Sequence, residues 1–182
     1  MKKFLKWTAI VVVTLVVILF GLAKYMGYQT KKASPEATVE YAKNGKKITV
    51  FYCRPYKKGR AIFDSLVPYG KVWRTGANEA TTFETSTDLE VGGKPLKAGK
   101  YTLWTIPNKE EWTVILNDKQ YGWGVNFDQT AAREPAADVL QVKVPVENLA
   151  NTVEQFTISF EESDSLKMVL AWDHTKVAVP IK

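Results

Sequence analysis

One cysteine and one histidine are all this chain offers to disulfide or metal chemistry. A lone Cys53 excludes an intramolecular disulfide, and a domain of about 150 residues buries enough surface to fold without one. A metal site wants two or more histidines or cysteines at short spacing, so no metal is expected, and nothing in the chain implies a cofactor. Catalytic signatures are missing as well. There is no Gly-x-Ser-x-Gly elbow, and a Ser-His-Asp arrangement would have to recruit His174 from Trp172-Asp173-His174-Thr175, which reads as a solvated turn. No segment outside the N-terminus insists on being an amphipathic helix, and there is no internal repeat or low-complexity tract. Acidic side chains are absent from the first 32 positions, which hold six lysines.

That charge bias frames the first feature that is present. Trp7 to Ala23 (W-T-A-I-V-V-V-T-L-V-V-I-L-F-G-L-A) carries no charge over 17 residues. As a helix it spans about 25 Å, and Phe4, Leu5 and Lys24 extend it to bilayer thickness. Lys2, Lys3 and Lys6 precede it, which favours a cytoplasmic N-terminus and an exported remainder in the periplasm or outside the cell. The expectation is a single-pass inner-membrane anchor contacting the lipid bilayer through residues 7–23, with Trp7 and Tyr25 at the interfaces. A cleaved signal peptide is the alternative, because Gly21-Leu22-Ala23 places small residues before a possible cut. The run exceeds the usual apolar core of about 7 to 15 residues, which favours the anchor. No cysteine lies near its end, so a lipid-anchored precursor is not supported.

Beyond this segment the remaining 19 basic side chains face all 19 acidic ones, leaving the rest of the chain formally neutral. The sequence pI near 9.2 therefore belongs to the membrane flank. Nucleic-acid binding needs a basic face on the folded domain, so it is not expected.

Two domains are expected: 1–33 as stub, anchor and polar tether (Tyr25 to Ser34), and 34–182 as a folded unit. The pattern there is β throughout. Ala37–Tyr41 and Lys47–Cys53 flank Asn44-Gly45, a strong hairpin signal. Further strands are expected over Thr81–Ser86, Leu89–Val91, Lys100–Ile106, Trp112–Leu116, Val139–Val144, Phe156–Phe160, Met168–Trp172 and Val177–Ile181. About nine to ten short strands describe an all-β, antiparallel sandwich or open barrel. Ala61–Leu66 is the one candidate helical turn. Cys53 ends an alternating apolar strand, which points to a buried, inert thiol.

The stretch Arg54–Thr82 (R-P-Y-K-K-G-R-A-I-F-D-S-L-V-P-Y-G-K-V-W-R-T-G-A-N-E-A-T-T) has no period of 2 or 3.6 and is too aromatic for a solvated linker. It reads as a long ordered loop where binding residues collect. Residues 43–74 hold nine basic side chains against Asp64 alone. Arg54, Arg60 and Arg74 offer planar donor forks to a carboxylate or phosphate, or pair within the domain, Glu79 being the leading acceptor. Trp73, Asn78 and Glu79 with Gly76 make the best candidate site, and Tyr69 adds an aromatic face. Such a mixture suits a sugar or a peptide terminus, and equally a loop hydrogen-bonded down onto a sheet.

The run K-G-R-A-I-F-D-S-L-V-P-Y-G-K-V-W-R-T-G-A-N-E-A-T, with G-G-K-P-L-K-A-G-K-Y-T-L-W-T-I-P and E-W-T-V-I-L-N after it, resembles the bacterial envelope family catalogued as domain of unknown function 2911. The resemblance covers about Ser34 to Ile181. It implies an exported, mainly antiparallel β domain, and brings no activity, substrate or catalytic residue. The expected function is a membrane-anchored module that binds an envelope protein, or a small anionic or sugar ligand, through residues 54–79. The alternatives are an envelope hydrolase acting on glycan with carboxylates such as Glu79 and Asp128, and a subunit whose loop packs inside while its partner docks elsewhere.

Overall fold

Proline is absent before position 35, and one unbroken helix occupies residues 2–33. In the computed structural model, which describes residues 2–182, α1 runs Lys2–Ala33. Thr8 and Thr14 donate their hydroxyls to the carbonyls of Phe4 and Ile10, four residues back. Those bonds let two polar side chains sit in an apolar helix. The segment expected as a tether continues as helix, supported by Gln29 Nε2 donating to Tyr25 Oη at 2.8 Å one turn earlier. Lys31 and Lys32 close the last turn, where positive charge suits the helix dipole. By length and composition this helix is sufficient to cross a membrane.

A second compact unit spans Ser34–Lys182. It begins with the predicted hairpin: β1 (Glu36–Lys43) and β2 (Lys46–Cys53) meet at Asn44 and Gly45, both at positive φ (53° and 73°). That geometry matches the twist of the strands it joins. Then come β3 (Thr82–Thr85), β4 (Leu89–Val91), β5 (Lys94–Leu96), β6 (Gly99–Ile106), β7 (Glu111–Asn117), β8 (Asp138–Glu162) and β9 (Leu166–Ile181). All neighbours are antiparallel, in the order β1-β2-β3-β6-β7-β8-β9-β4-β5. An all-β sandwich-like sheet preceded by one apolar helix is thus the architecture.

Strand β8 is 25 residues long and belongs to both halves of the fold. Its first part pairs with β7, and from Val146 onward it pairs with β9, through register shifts between Asn148 and Thr157. The expected strands Val139–Val144 and Phe156–Phe160 are therefore two ends of one bent strand, as Met168–Trp172 and Val177–Ile181 are of β9. The intervening polar residues read as connections because a strand changing sheets exposes both faces at the bend. Three-residue β5 escapes the sequence pattern because Pro95 sits inside it. Ala61–Leu66 is not helical: Val67 N–H returns to Ile62 O at 2.9 Å and Asp64 sits at φ 62°.

Between the layers lie Tyr52, Phe83, Trp112, Phe156, Leu170 and Trp172, all essentially inaccessible. Trp73 stacks on Trp172, with ring centroids 6.0 Å apart, and meets Trp112 and Phe156 edge-on. The central loop thus contributes an aromatic anchor to the main core.

Candidate functional site

Residues 54–81 hold their course by adding themselves to existing strand edges. Phe156 N–H donates to Pro55 O, and Lys57 N–H donates to Glu154 O, laying the start of the loop along β8. Trp73 and Thr105 exchange two backbone bonds at 2.7 and 3.0 Å, and Leu103 N–H donates to Thr81 O, laying its end along β6. These bonds satisfy backbone groups that a buried loop would otherwise orphan.

The turn between, Thr75 to Glu79, closes onto the ends of β1 and β2. Thr75 and Asn78 adopt φ of 57° and 56°, and Gly76 lies at 152°. A Cβ on Gly76 would stand 2.9 Å from Cys53 O. Only glycine lets the loop approach that carbonyl, and Ala77 N–H then donates to it at 3.3 Å. Asn78 Nδ2 donates to Ser34 O at 3.2 Å, and Trp73 Nε1 donates to Gly76 O at 3.0 Å.

The result is a cluster drawn from three places in the chain. Glu36 and Cys53 are register partners across β1 and β2, and the turn brings Glu79 over them. Cys53 Sγ donates to Glu79 Oε2 at 3.2 Å. Glu36 is exposed, Glu79 partly so, and Cys53 is buried. Arg74 stands beside them. Burial holds its guanidinium below the ordinary value, while the charges of Cys53 and Glu79 push it back up. Its Nε is buried with no hydrogen-bond partner, and its Nη1 donates to Trp123 O at 3.4 Å.

The second irregular stretch, residues 121–134, packs against this turn. Ala80 N–H donates to Gly122 O at 3.0 Å, and Gly124 lies where a Cβ would meet Ala80 at 3.0 Å. Between them, on the outer face of β1, β2, β3 and β6, runs a groove of about 470 Å³. Thr38, Thr49, Phe51 and Thr82 line it together with Glu79, Glu84, Lys100, Gln120 and Tyr121.

The residues singled out in the sequence go to different places. Arg74, Asn78 and Glu79 come together at the turn. Trp73 lies largely inside the core. Arg54 donates to Phe156 O and Thr157 Oγ1, and Arg60 to Lys57 O and Tyr56 O, so both brace the loop. Tyr69 stacks on Phe63 and lines a separate surface depression with Asn108 and Glu110. Asp128 caps its own turn, accepting from the Thr130 amide and hydroxyl. Glu36, Thr38 and Thr82 carry no signal of a site in the sequence, because alternating polar residues on a strand ordinarily mark a solvated face. Thr49, Phe51 and Cys53 did read as one face of β2, and that shared face was the available signal.

A family model described as protein of unknown function (DUF2911) matches residues 34–181, and the chain belongs to that family. No curated protein and no solved structure matches.

Proposed function

We propose that this DUF2911 chain is a membrane-anchored glycan-binding module of the cell envelope, with α1 as an uncleaved single-pass anchor and the β domain on the exported side. The groove on the β1–β2–β3–β6 face carries the reading. Its hydroxyl, amide and carboxylate groups both donate and accept, and Phe51 and Tyr121 present apolar ring surface between them. A sugar ring needs both kinds of contact, hydrogen bonds at its rim and apolar contact at its face. An anion fits less well, since Lys100 is outnumbered by Glu79 and Glu84 in the groove, while Arg54 and Arg60 hydrogen-bond to the chain itself.

The test uses the full chain in detergent with a panel of neutral and amino-sugar oligosaccharides. A bound glycan raises the melting temperature as RT ln(1 + [L]/Kd) requires. Glu84→Ala and Gln120→Ala, both at exposed positions, are expected to weaken binding tenfold or more with little change in unliganded stability. Failure of every oligosaccharide to shift the melting temperature at millimolar concentration would remove the glycan reading.

A further inference from the structure

We propose that Glu36, Cys53 and Glu79 form a binding site for a thiophilic divalent cation of the zinc class. No pair of these donors has metal-ligand spacing in the sequence; the fold alone brings them together. Their donor atoms all lie within 4.8 Å of one another. Zn–S and Zn–O bonds of about 2.3 and 2.1 Å at a tetrahedral angle place sulfur and oxygen about 3.6 Å apart. The 3.2 Å between Cys53 Sγ and Glu79 Oε2 is already close to that spacing. The Glu36 carboxylate lies within 4.8 Å of both.

The backbone beneath the donors is fixed. Glu36 and Cys53 face each other across a regular ladder. The turn carrying Glu79 is tied to Cys53 O through the Ala77 amide and to Ser34 O through Asn78. Pre-set donors of this kind distinguish a site from acids that happen to share a surface.

Arg74 supplies the independent observation. Its Nε–H is buried and lacks an acceptor, which is costly in a folded protein. Three protein ligands leave the fourth position of a tetrahedral cation open to water or an anionic ligand. Binding displaces the thiol proton to solvent, leaving one thiolate and two carboxylates to hold the dication. One sulfur with two carboxylates suits zinc better than calcium or magnesium, which take oxygen ligands.

The site shares Glu79 with the groove, but its test contains no sugar and stands apart from the glycan reading. Full-length protein in detergent is stripped with chelator, kept reduced, and titrated with Co²⁺ alone. The wild type should develop a sulfur-to-cobalt charge-transfer band in the near ultraviolet, which Zn²⁺ then abolishes by displacement. Cys53→Ser should lose the band while circular dichroism shows it folded. Glu36→Gln, at an exposed position, should fold normally and bind Co²⁺ at least tenfold more weakly, so the proposal does not hang on Cys53→Ser alone. His174→Asn should bind as the wild type does. Absence of the band in folded wild type, or equal affinity in Glu36→Gln, overturns the proposal.

Discussion

Tyr52 Oη on β2 accepts from the Ile158 amide at 2.9 Å and donates to the Ile158 carbonyl at 3.3 Å, so one side chain stands in for a neighbouring strand. Ile158 pairs with Leu170 on its other side. The hydroxyl therefore meets a stretch of β8 that has no strand beside it there, deep between the layers. Tyr52→Phe should leave a buried amide without an acceptor and lower stability by about 1–3 kcal/mol. Urea unfolding of the wild type and variant measures this. A loss below about 0.5 kcal/mol would show that the hydroxyl is not what ties the layers at this point.

Alkaline pH should act through the same residue. Burial raises the Tyr52 pKa above its ordinary 10.0, and Tyr101 is raised likewise, first by burial and then by Asp88 and Asp118. Above pH 10 the unfolded chain sheds these phenolic protons while the folded chain keeps them. The unfolded state then binds fewer protons, so stability, fully present below pH 10, falls as pH rises through the raised folded values. Thermal melts from pH 8 to 11.5 should show a decline beginning near pH 10, with a shallower slope in Tyr52→Phe. Identical slopes would place the alkaline sensitivity elsewhere.

Gly76 should tolerate no side chain. Its φ of 152° is strained for other residues, and a Cβ would stand 2.9 Å from Cys53 O and 3.2 Å from Thr81 Oγ1. Gly76→Ala should cost about 1–3 kcal/mol. Gly59 is the milder comparison, at φ 69° with nothing within 4 Å of a built Cβ, so Gly59→Ala carries only the smaller cost of left-handed backbone. Gly76→Ala should lose more than Gly59→Ala, through the contact and the more restricted backbone together, and equal losses would mean that the turn shifts to accept a methyl.

Much of the β domain was legible because its strands alternate. Ile48, Val50 and Tyr52 turn inward as the period of two requires, and Asn44-Gly45 announces its hairpin. Breaks in that period hide three features: the bends of β8 and β9 look like connections, and Pro95 conceals β5. The turn at Trp73–Glu79 stood out through its glycine, asparagine and tryptophan. Its meeting with Glu36 did not, because a register pairing and a long-range loop closure have no local signature. The arginines illustrate the same limit. Their planar donors read alike in sequence, yet Arg54 and Arg60 bond only to the chain's own oxygens, while Arg74 bonds to Trp123 O and also feels the charges of Glu79 and Cys53.

The N-terminal helix yields the last prediction. An apolar helix at an N-terminus serves either as an anchor or as a signal sequence, and its length alone does not separate the two. The helix continues to Ala33, well past the small residues at Gly21 and Ala23. Lys2, Lys3 and Lys6 ahead of the apolar run favour retention of the N-terminus in the cytoplasm. In a Gram-negative host, the full chain should therefore fractionate with the inner membrane, and protease added outside spheroplasts should digest the β domain. N-terminal sequencing of the membrane-bound protein should begin at residue 1 or 2. A mature chain beginning at Lys24 would establish cleavage instead, and would release the groove and the Glu36–Cys53–Glu79 cluster from the membrane without altering either.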